Sequence, residues 1–179
     1  MALIGLENTY YAKLTKDDST GTTYETPKKL SGAISITENA EFNTAELYAD
    51  NRLWATATVF SKGSVELELA DLSLEDYAAL GGHSVVDGKL IENTNDIAPY
   101  IAIMGEGLKE DGKTKRYFKL LKGQCAKVGL NMKTKTNNPE FTTQTLSATF
   151  MPRQSDGNYK YVMDSKDASV ASSWYSSVD

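Results

Sequence analysis

Few residues in this chain of 179 could carry out covalent or metal chemistry. The chain contains one histidine, His83, and one cysteine, Cys125. A structural zinc site needs four such ligands, and an activated thiol needs a neighbouring base, so neither residue has the partners it would require. The sequence favours a turn or capping role for His83 and an unreactive, packed position for Cys125.

Carboxylates are more frequent, but their spacing matches no known kind of site. The turn Asn93-Thr94-Asn95-Asp96 lacks the closing glutamate of a calcium loop, and Gly105-Glu106-Gly107 lacks the later glycine and the helix of a phosphate-binding loop. Glu75 and Asp76 occupy the first turn of a predicted helix, where acids compensate the helix dipole. We therefore expect no enzyme activity, no metal and no cofactor.

Composition excludes several other classes of protein. The net charge is −5, from 24 acidic and 19 basic residues, which argues against a surface built to neutralise phosphates. Three short basic clusters are interpreted as solvated strand edges and turns. The sequence has neither an apolar run long enough to cross a membrane nor a signal peptide, so we expect a protein that is made in the cytoplasm and has no membrane partner.

The elements that position these residues show their clearest pattern between Ser64 and His83. Val65, Leu67 and Leu69 alternate with Glu66 and Glu68, which is the two-residue period of a half-buried strand. The period then changes to that of a short helix over about 73–81, capped by Ser73 and stopped by two glycines. On this helix we expect three side chains to dock on a sheet: Leu74, Tyr77 and Leu80.

The rest of the chain reads as about ten strands separated by turns. We place a turn at Asp50-Asn51, a tight hairpin turn at Lys62-Gly63, and one long polar strand over 123–136. The predicted fold is mainly β, a sandwich or barrel with one short flanking helix. Residues 1–163 are predicted to form a single domain, and the Ser- and Asp-rich residues 164–179 a flexible tail.

Eight blocks of sequence, spread over about residues 5–162, carry a pattern that is specific in its order. The blocks are Pro27–Ile34, Leu47–Asp50, Val65–Leu74, Leu80–His83, Ile97–Ala102, Lys119–Gly123, Asn138–Thr143 and Phe150–Arg153. Together and in this order they resemble the major tail proteins of long-tailed phages and prophages of Gram-positive bacteria. Two departures from that family are Gly82, an extra glycine in the Leu-Gly-Gly-His stretch, and Cys125, which lies in a region that is usually acidic.

The resemblance implies a tail tube protein of the virion. Such a protein has a β-sandwich or barrel fold flanked by a helix. Six copies form a ring, and rings stack into a tube that conducts DNA without binding it specifically. The implied partners are further copies of the chain, a tape measure protein, a tail terminator and distal tail proteins.

Within this expectation we form three hypotheses. Residues 35–50 form a hairpin arm that reaches the next ring, with Glu38, Glu41, Phe42 and Asn43 as candidate contacts. The helix lies on the outer side of the subunit. Glu66 and Glu68 line the lumen, where their negative charge repels DNA phosphates.

Two other function classes remain open. One is a different ring or tube component of the same architecture, such as a type VI secretion tube protein or a tail terminator. The other is a carbohydrate-binding β-sandwich, which would need tryptophans grouped on one sheet. Trp54 and Trp174 are far apart in the sequence, which does not favour such a group.

Overall fold

A computed structural model describes residues 2–126, 134 and 141–178. Within these residues the chain forms eleven strands and two helices. Their bounds are β1 Leu3–Asp18, β2 Gly21–Tyr24, β3 Lys28–Lys29, β4 Ala33–Ala49, β5 Arg52–Leu69, α1 Leu74–Gly81, β6 Ser84–Val86, β7 Lys89–Ile91, β8 Tyr100–Lys109, β9 Lys115–Cys125, β10 Gln144–Phe150, β11 Lys160–Ser165 and α2 Ser169–Trp174.

Nine of the strands form one antiparallel sheet that folds over on itself. The order is β2-β1-β8-β9-β10-β5-β4, with β3 added to β1 and β11 added to β9. Strand β9 changes partners along one edge, because its first half pairs with β11 and its end pairs with β10. The sheet does not close into a barrel, so the fold is of the β-sandwich type, and the prediction of a mainly β protein is confirmed.

The main apolar core lies between the two halves of this folded sheet. Val65, Leu67 and Leu69 on β5 are almost completely buried, as their alternation predicts. They pack in one cluster with residues of β1, β8, β9 and β10 and with Leu80 of α1. A second, smaller cluster lies on the other face of β8, because alternate residues of a strand point to opposite faces.

The predicted turn at Lys62-Gly63 is wrong, since β5 runs through it without interruption. Gly63 has a packing role instead: a Cβ atom at this position would clash with the hydroxyl group of Tyr159. The turn that does close the hairpin is Asp50-Asn51, where φ is 51° and 61°. Two successive positive φ angles are what a type I′ hairpin turn requires.

Helix α1 begins and ends as its sequence predicts. The Ser73 side chain accepts a hydrogen bond from the Asp76 backbone N–H at 3.1 Å, and Gly82 ends the helix with a φ of 74°. Leu80 is 1% exposed and Tyr77 packs against the core. The prediction for Leu74 is wrong, because this side chain is 49% exposed. Leu74 is the first residue of the helix. Leu72, which precedes the capping Ser73, packs in the main core cluster instead.

The described residues of the polar C-terminal segment, up to Val178, pack against the sheet. Strand β11 spans the predicted domain boundary, and α2 is a helix that the sequence analysis did not predict. The Lys119 ammonium donates to the backbone carbonyls of Ser177 and Val178 at 2.9 and 3.1 Å. Tyr175 stacks on Tyr10 with ring centroids 4.5 Å apart. These contacts hold residues 174–178 over the second core cluster.

Most of the long strand predicted over 123–136 lies outside the described residues. Strand β9 ends at Cys125, and residues 127–133 and 135–140 are not among those that the structure describes.

Candidate functional site

The two most reactive side chains in the sequence, those of His83 and Cys125, are both buried and contribute to the fold. The His83 ring is buried, and its Nδ1 lies 2.7 Å from Oδ2 of Asp96, so it ties the loop after β7 to the end of α1. Burial raises the pKa of the Cys125 thiol to about 12, which leaves it protonated and unreactive at neutral pH. Within the described part of the chain, no group of His, Cys, Asp or Glu side chains could hold a metal ion. No helix in that part is long and apolar enough to cross a membrane.

The extended surfaces of the β4–β5 hairpin are therefore the better candidates for function. The two strands pair from Ala33↔Leu69 to Ala49↔Arg52, which makes this the longest strand pair that the structure describes. Near the core, the inner side of the hairpin packs against the rest of the domain and the outer side is open to solvent. Beyond Phe42 and Phe60 the strands leave the body of the domain, and nearly all of their side chains are exposed.

We call the outer side of the hairpin near the core, together with the adjoining side of β10, the polar face. Its side chains carry hydroxyl groups, one amide, three carboxylates and a single ammonium group. Register and strand alternation place eleven residues on it: Ser35, Thr37, Asn39, Glu41, Lys62, Ser64, Glu66, Glu68, Thr145, Ser147 and Thr149.

The structure places both predicted lumen acids on this polar face. Glu66 is exposed between Thr37 and Ser147, its partners in the register. Glu68 is partly buried and accepts hydrogen bonds from Ser35 Oγ at 3.2 Å and Thr143 Oγ1 at 2.8 Å. The glutamates therefore belong to a hydroxyl-rich surface three strands wide.

We call residues 42–60 the arm. The arm contains the ends of both strands, whereas the sequence analysis assigned only residues 35–50 to it. The sequence analysis leaves the second strand out of the arm, because it places a hairpin turn at Lys62-Gly63. The arm contains eight residues of β4 and nine of β5, which at about 3.3 Å per residue give it a length of about 26 to 30 Å.

The root of the arm is held by Glu38 and by packed aromatic rings. Glu38 accepts hydrogen bonds from the Tyr159 hydroxyl at 2.6 Å and the Lys160 ammonium at 2.7 Å. Burial alone would raise the pKa of Glu38, but these two hydrogen bonds lower it below its ordinary value. The Phe60 ring lies 4.6 Å from Tyr159 and 5.7 Å from Phe42, centroid to centroid.

The four predicted arm residues therefore lie in three places. Glu38 anchors the root, and Glu41 lies on the polar face, where it contacts Lys62 at 3.6 Å and accepts from Ser64 at 2.9 Å. Phe42 and Asn43 are the first residues of the arm itself. No sequence signal distinguished the root from the arm, because the groups that bind Glu38 lie more than 100 residues away, on Tyr159 and on Lys160 at the start of β11.

Register gives the arm two different sides. One side, the threonine face, continues the inner side of the hairpin and carries Phe42, Thr44, Glu46, Thr56, Thr58 and Phe60. The other side, the alanine face, continues the polar face and carries Asn43, Ala45, Leu47, Ala55, Ala57 and Val59. The bond between the Thr44 and Thr58 hydroxyls, 3.2 Å long, confirms that these two share a side.

Near the tip, β5 has a bulge that displays an aromatic side chain. Leu47 pairs with Ala55 and Tyr48 with Leu53, so Trp54 has no residue opposite it. The Arg52 guanidinium lies 5.3 Å from the centroid of the Trp54 ring. Bulges of this kind re-aim a side chain, and here the result is an exposed tryptophan next to the turn.

Comparison with known proteins identifies the family. The sequence profile of a family described as "Phage tail tube protein" matches residues 19–176. Among solved structures, the fold is similar to that of the anti-feeding prophage cap, a tube-terminating cap determined by cryo-EM. The TM-score is 0.50 and the sequence identity is 7%, and the match covers 88% of this chain and 89% of that chain. Sequence comparison with curated proteins finds no match. The chain belongs to the phage tail tube protein family, so it is a structural component of the virion and not an enzyme.

Proposed function

We propose that this chain is the major subunit of a phage tail tube, in which rings of six copies stack into a tube that conducts DNA. The observation that carries the proposal is the arm, which holds out exposed aromatic and aliphatic side chains: Phe42, Leu47, Tyr48, Leu53, Trp54 and Val59. Exposed apolar groups in this number are typical of a surface that a partner covers. In a chain of this family, the expected partner is another copy.

The proposal extends to how the copies are arranged. A projecting arm and the surface that receives it are different parts of the chain, so their contact is heterologous and repeats from copy to copy. We propose that the arm reaches the next ring. The further partners are those implied by the sequence resemblance to tail proteins of long-tailed phages of Gram-positive bacteria: a tape measure protein, a tail terminator and distal tail proteins.

We also propose that the polar face lines the lumen. Carboxylates without matching cations repel DNA phosphates, and hydroxyl groups hold water, so DNA can slide along such a surface without binding to it. The polar face carries three carboxylates, those of Glu41, Glu66 and Glu68, against the single ammonium group of Lys62.

Chemical labelling tests the lumen assignment. In tubes of the variant Glu66→Cys, we expect a small maleimide to modify the new thiol and a maleimide attached to a bulky polymer to fail, because the polymer cannot enter the lumen. Glu75→Cys, on the exposed side of α1, is the matched control and should react with both reagents. If the bulky reagent modifies Glu66→Cys in tubes as fast as it modifies Glu75→Cys, the polar face lies outside the lumen.

A second candidate function is a ring that ends a tube, which the fold similarity to the tube-terminating cap favours. A carbohydrate-binding platform gains no support, because Trp54 lies on the arm and Trp174 packs against Lys119. Negative-stain electron microscopy of the purified chain separates the candidates. Long hollow tubes are expected for a tube subunit and discrete rings for a terminator, whereas monomers at every concentration would contradict both.

A further inference from the structure

The outer side of the β4–β5 hairpin changes its chemistry where the hairpin leaves the domain body. Up to Glu41 and Lys62 this side is the polar face. From Asn43 and Val59 onwards it is the alanine face. One continuous sheet surface therefore passes from carboxylates and hydroxyls to small apolar groups within a single step of the register.

The alanine face is built for close contact with another surface. Leu47 is 59% exposed and Val59 is 65% exposed, and the three residues between them on this side of β5 and β4 are alanines: Ala45, Ala55 and Ala57. Methyl side chains allow a second surface to approach the strands closely. A flat apolar ribbon left in water is also prone to aggregation, which proteins avoid by covering it.

A groove of matching chemistry lies elsewhere on the same chain. Its volume is about 520 Å³, and it lies between the start of β4 and strand β11. Its lining is mainly apolar and includes Leu3, Ile34, Ile36, Phe118 and Val162. About half of the surface of Leu3, Ile34 and Val162 is exposed, so the groove also offers apolar area that a partner could cover.

The charged groups at the rim of the groove are already neutralised. Arg116 donates to both carboxylate oxygens of Asp164, at 2.7 and 2.9 Å, and Lys160 donates to Glu38 at 2.7 Å. Because these cations have carboxylate partners within the chain, the groove suits an apolar occupant better than an anionic one.

We propose that the alanine face of one copy docks in the groove of a second copy of this chain. The proposal rests on the tube-forming function proposed above and names the two surfaces that meet. It commits to a second copy because the ribbon and the groove have the same apolar chemistry and occupy separate parts of one chain. Each copy can therefore give and receive an arm at the same time.

The size of the contact indicates when it forms. A ribbon about 30 Å long and about 10 Å wide offers about 300 Å² on one side, whereas a stable pair of proteins buries about 800 Å² on each partner. One arm in one groove is too small to hold two free chains together. We therefore expect the contact in the assembled state, where many such contacts act together.

A cysteine scan along the arm tests the docking. The full chain with Val162→Cys, marked by a size tag, is mixed with a chain carrying a cysteine at one of four successive positions, allowed to assemble, and treated with a short bismaleimide. We expect Ala55→Cys and Ala57→Cys to give a several-fold higher yield of heterodimer than the matched controls Thr56→Cys and Thr58→Cys, which lie on the threonine face. The native Cys125 is buried and should not compete.

Three results would overturn the docking. They are equal yields at all four positions, a pattern that favours Thr56 and Thr58, and alanine-face cysteines that crosslink only to each other. The same samples are viewed by electron microscopy. Tubes that form without the expected crosslink contradict the docking and leave the tube function standing. If the wild-type chain forms no tubes, the tube function is contradicted. If the expected crosslink is missing as well, the docking is also contradicted.

Discussion

Shortening the arm is expected to abolish tube formation and to leave the subunit folded. Thr44 and Thr58 are opposite each other in the register, so residues 45–57 can be replaced by Asn-Gly, a two-residue sequence that forms the required hairpin turn. All of the replaced residues except the partly buried Ala49 are exposed, and all lie outside both core clusters, so their removal should shift the unfolding midpoint by only a few degrees. Electron microscopy and thermal unfolding followed by circular dichroism measure the two effects.

A variant with an arm of unchanged length provides the control. Replacing only Asp50-Asn51 by Asn-Gly keeps every strand residue and a turn with positive φ at both positions, so this variant should form normal tubes. Tubes of normal length from the shortened chain would show that the arm is an ordinary surface hairpin. The cut leaves Glu38 in place, so the anchor at the root is not disturbed.

Replacing Leu80 by aspartate is expected to prevent folding altogether. Leu80 is 1% exposed and packs in the main core cluster between the sheet and α1. An ionised or unpartnered carboxyl group in this position lowers the free energy of unfolding by several kcal/mol. A typical domain has a free energy of unfolding of only roughly 5–15 kcal/mol. Circular dichroism and analytical gel filtration should show an unfolded or aggregated chain.

Leu74→Asp is the matched control, because it makes the same change six residues earlier in the same helix. Leu74 is half exposed, and an acid in the first turn interacts favourably with the helix dipole. We expect this variant to fold with an unfolding midpoint close to that of the wild type. A folded, tube-forming Leu80→Asp variant would mean that α1 does not depend on its contact with the sheet.

Local patterns in the sequence predicted the parts of the fold that depend on near neighbours. The alternation of Val65, Leu67 and Leu69 identified a half-buried strand, and Ser73 and Gly82 marked the ends of α1. The acids Glu66 and Glu68 were placed on the opposite side of their strand for the same reason. In each case the deciding interaction lies within a few residues along the chain.

Predictions failed where the deciding contact came from a distant part of the chain. Gly63 looks like a turn residue, but its lack of a side chain makes room for Tyr159. Likewise, nothing in the sequence indicates that the Lys119 ammonium donates to the backbone carbonyls of Ser177 and Val178. Neither contact leaves a periodic trace in the sequence.

The sequence by itself therefore determined the class of fold and the family to which the chain is similar, which is a family of structural proteins and not of enzymes. Only the tertiary structure decided that the arm comprises two strands, that Glu38 anchors its root, and that the arm has an apolar side continuous with the polar face. The physical reason is that periodicity records which side of a strand is buried. It does not record which distant residues cover that side, and this depends on how the whole sheet folds over.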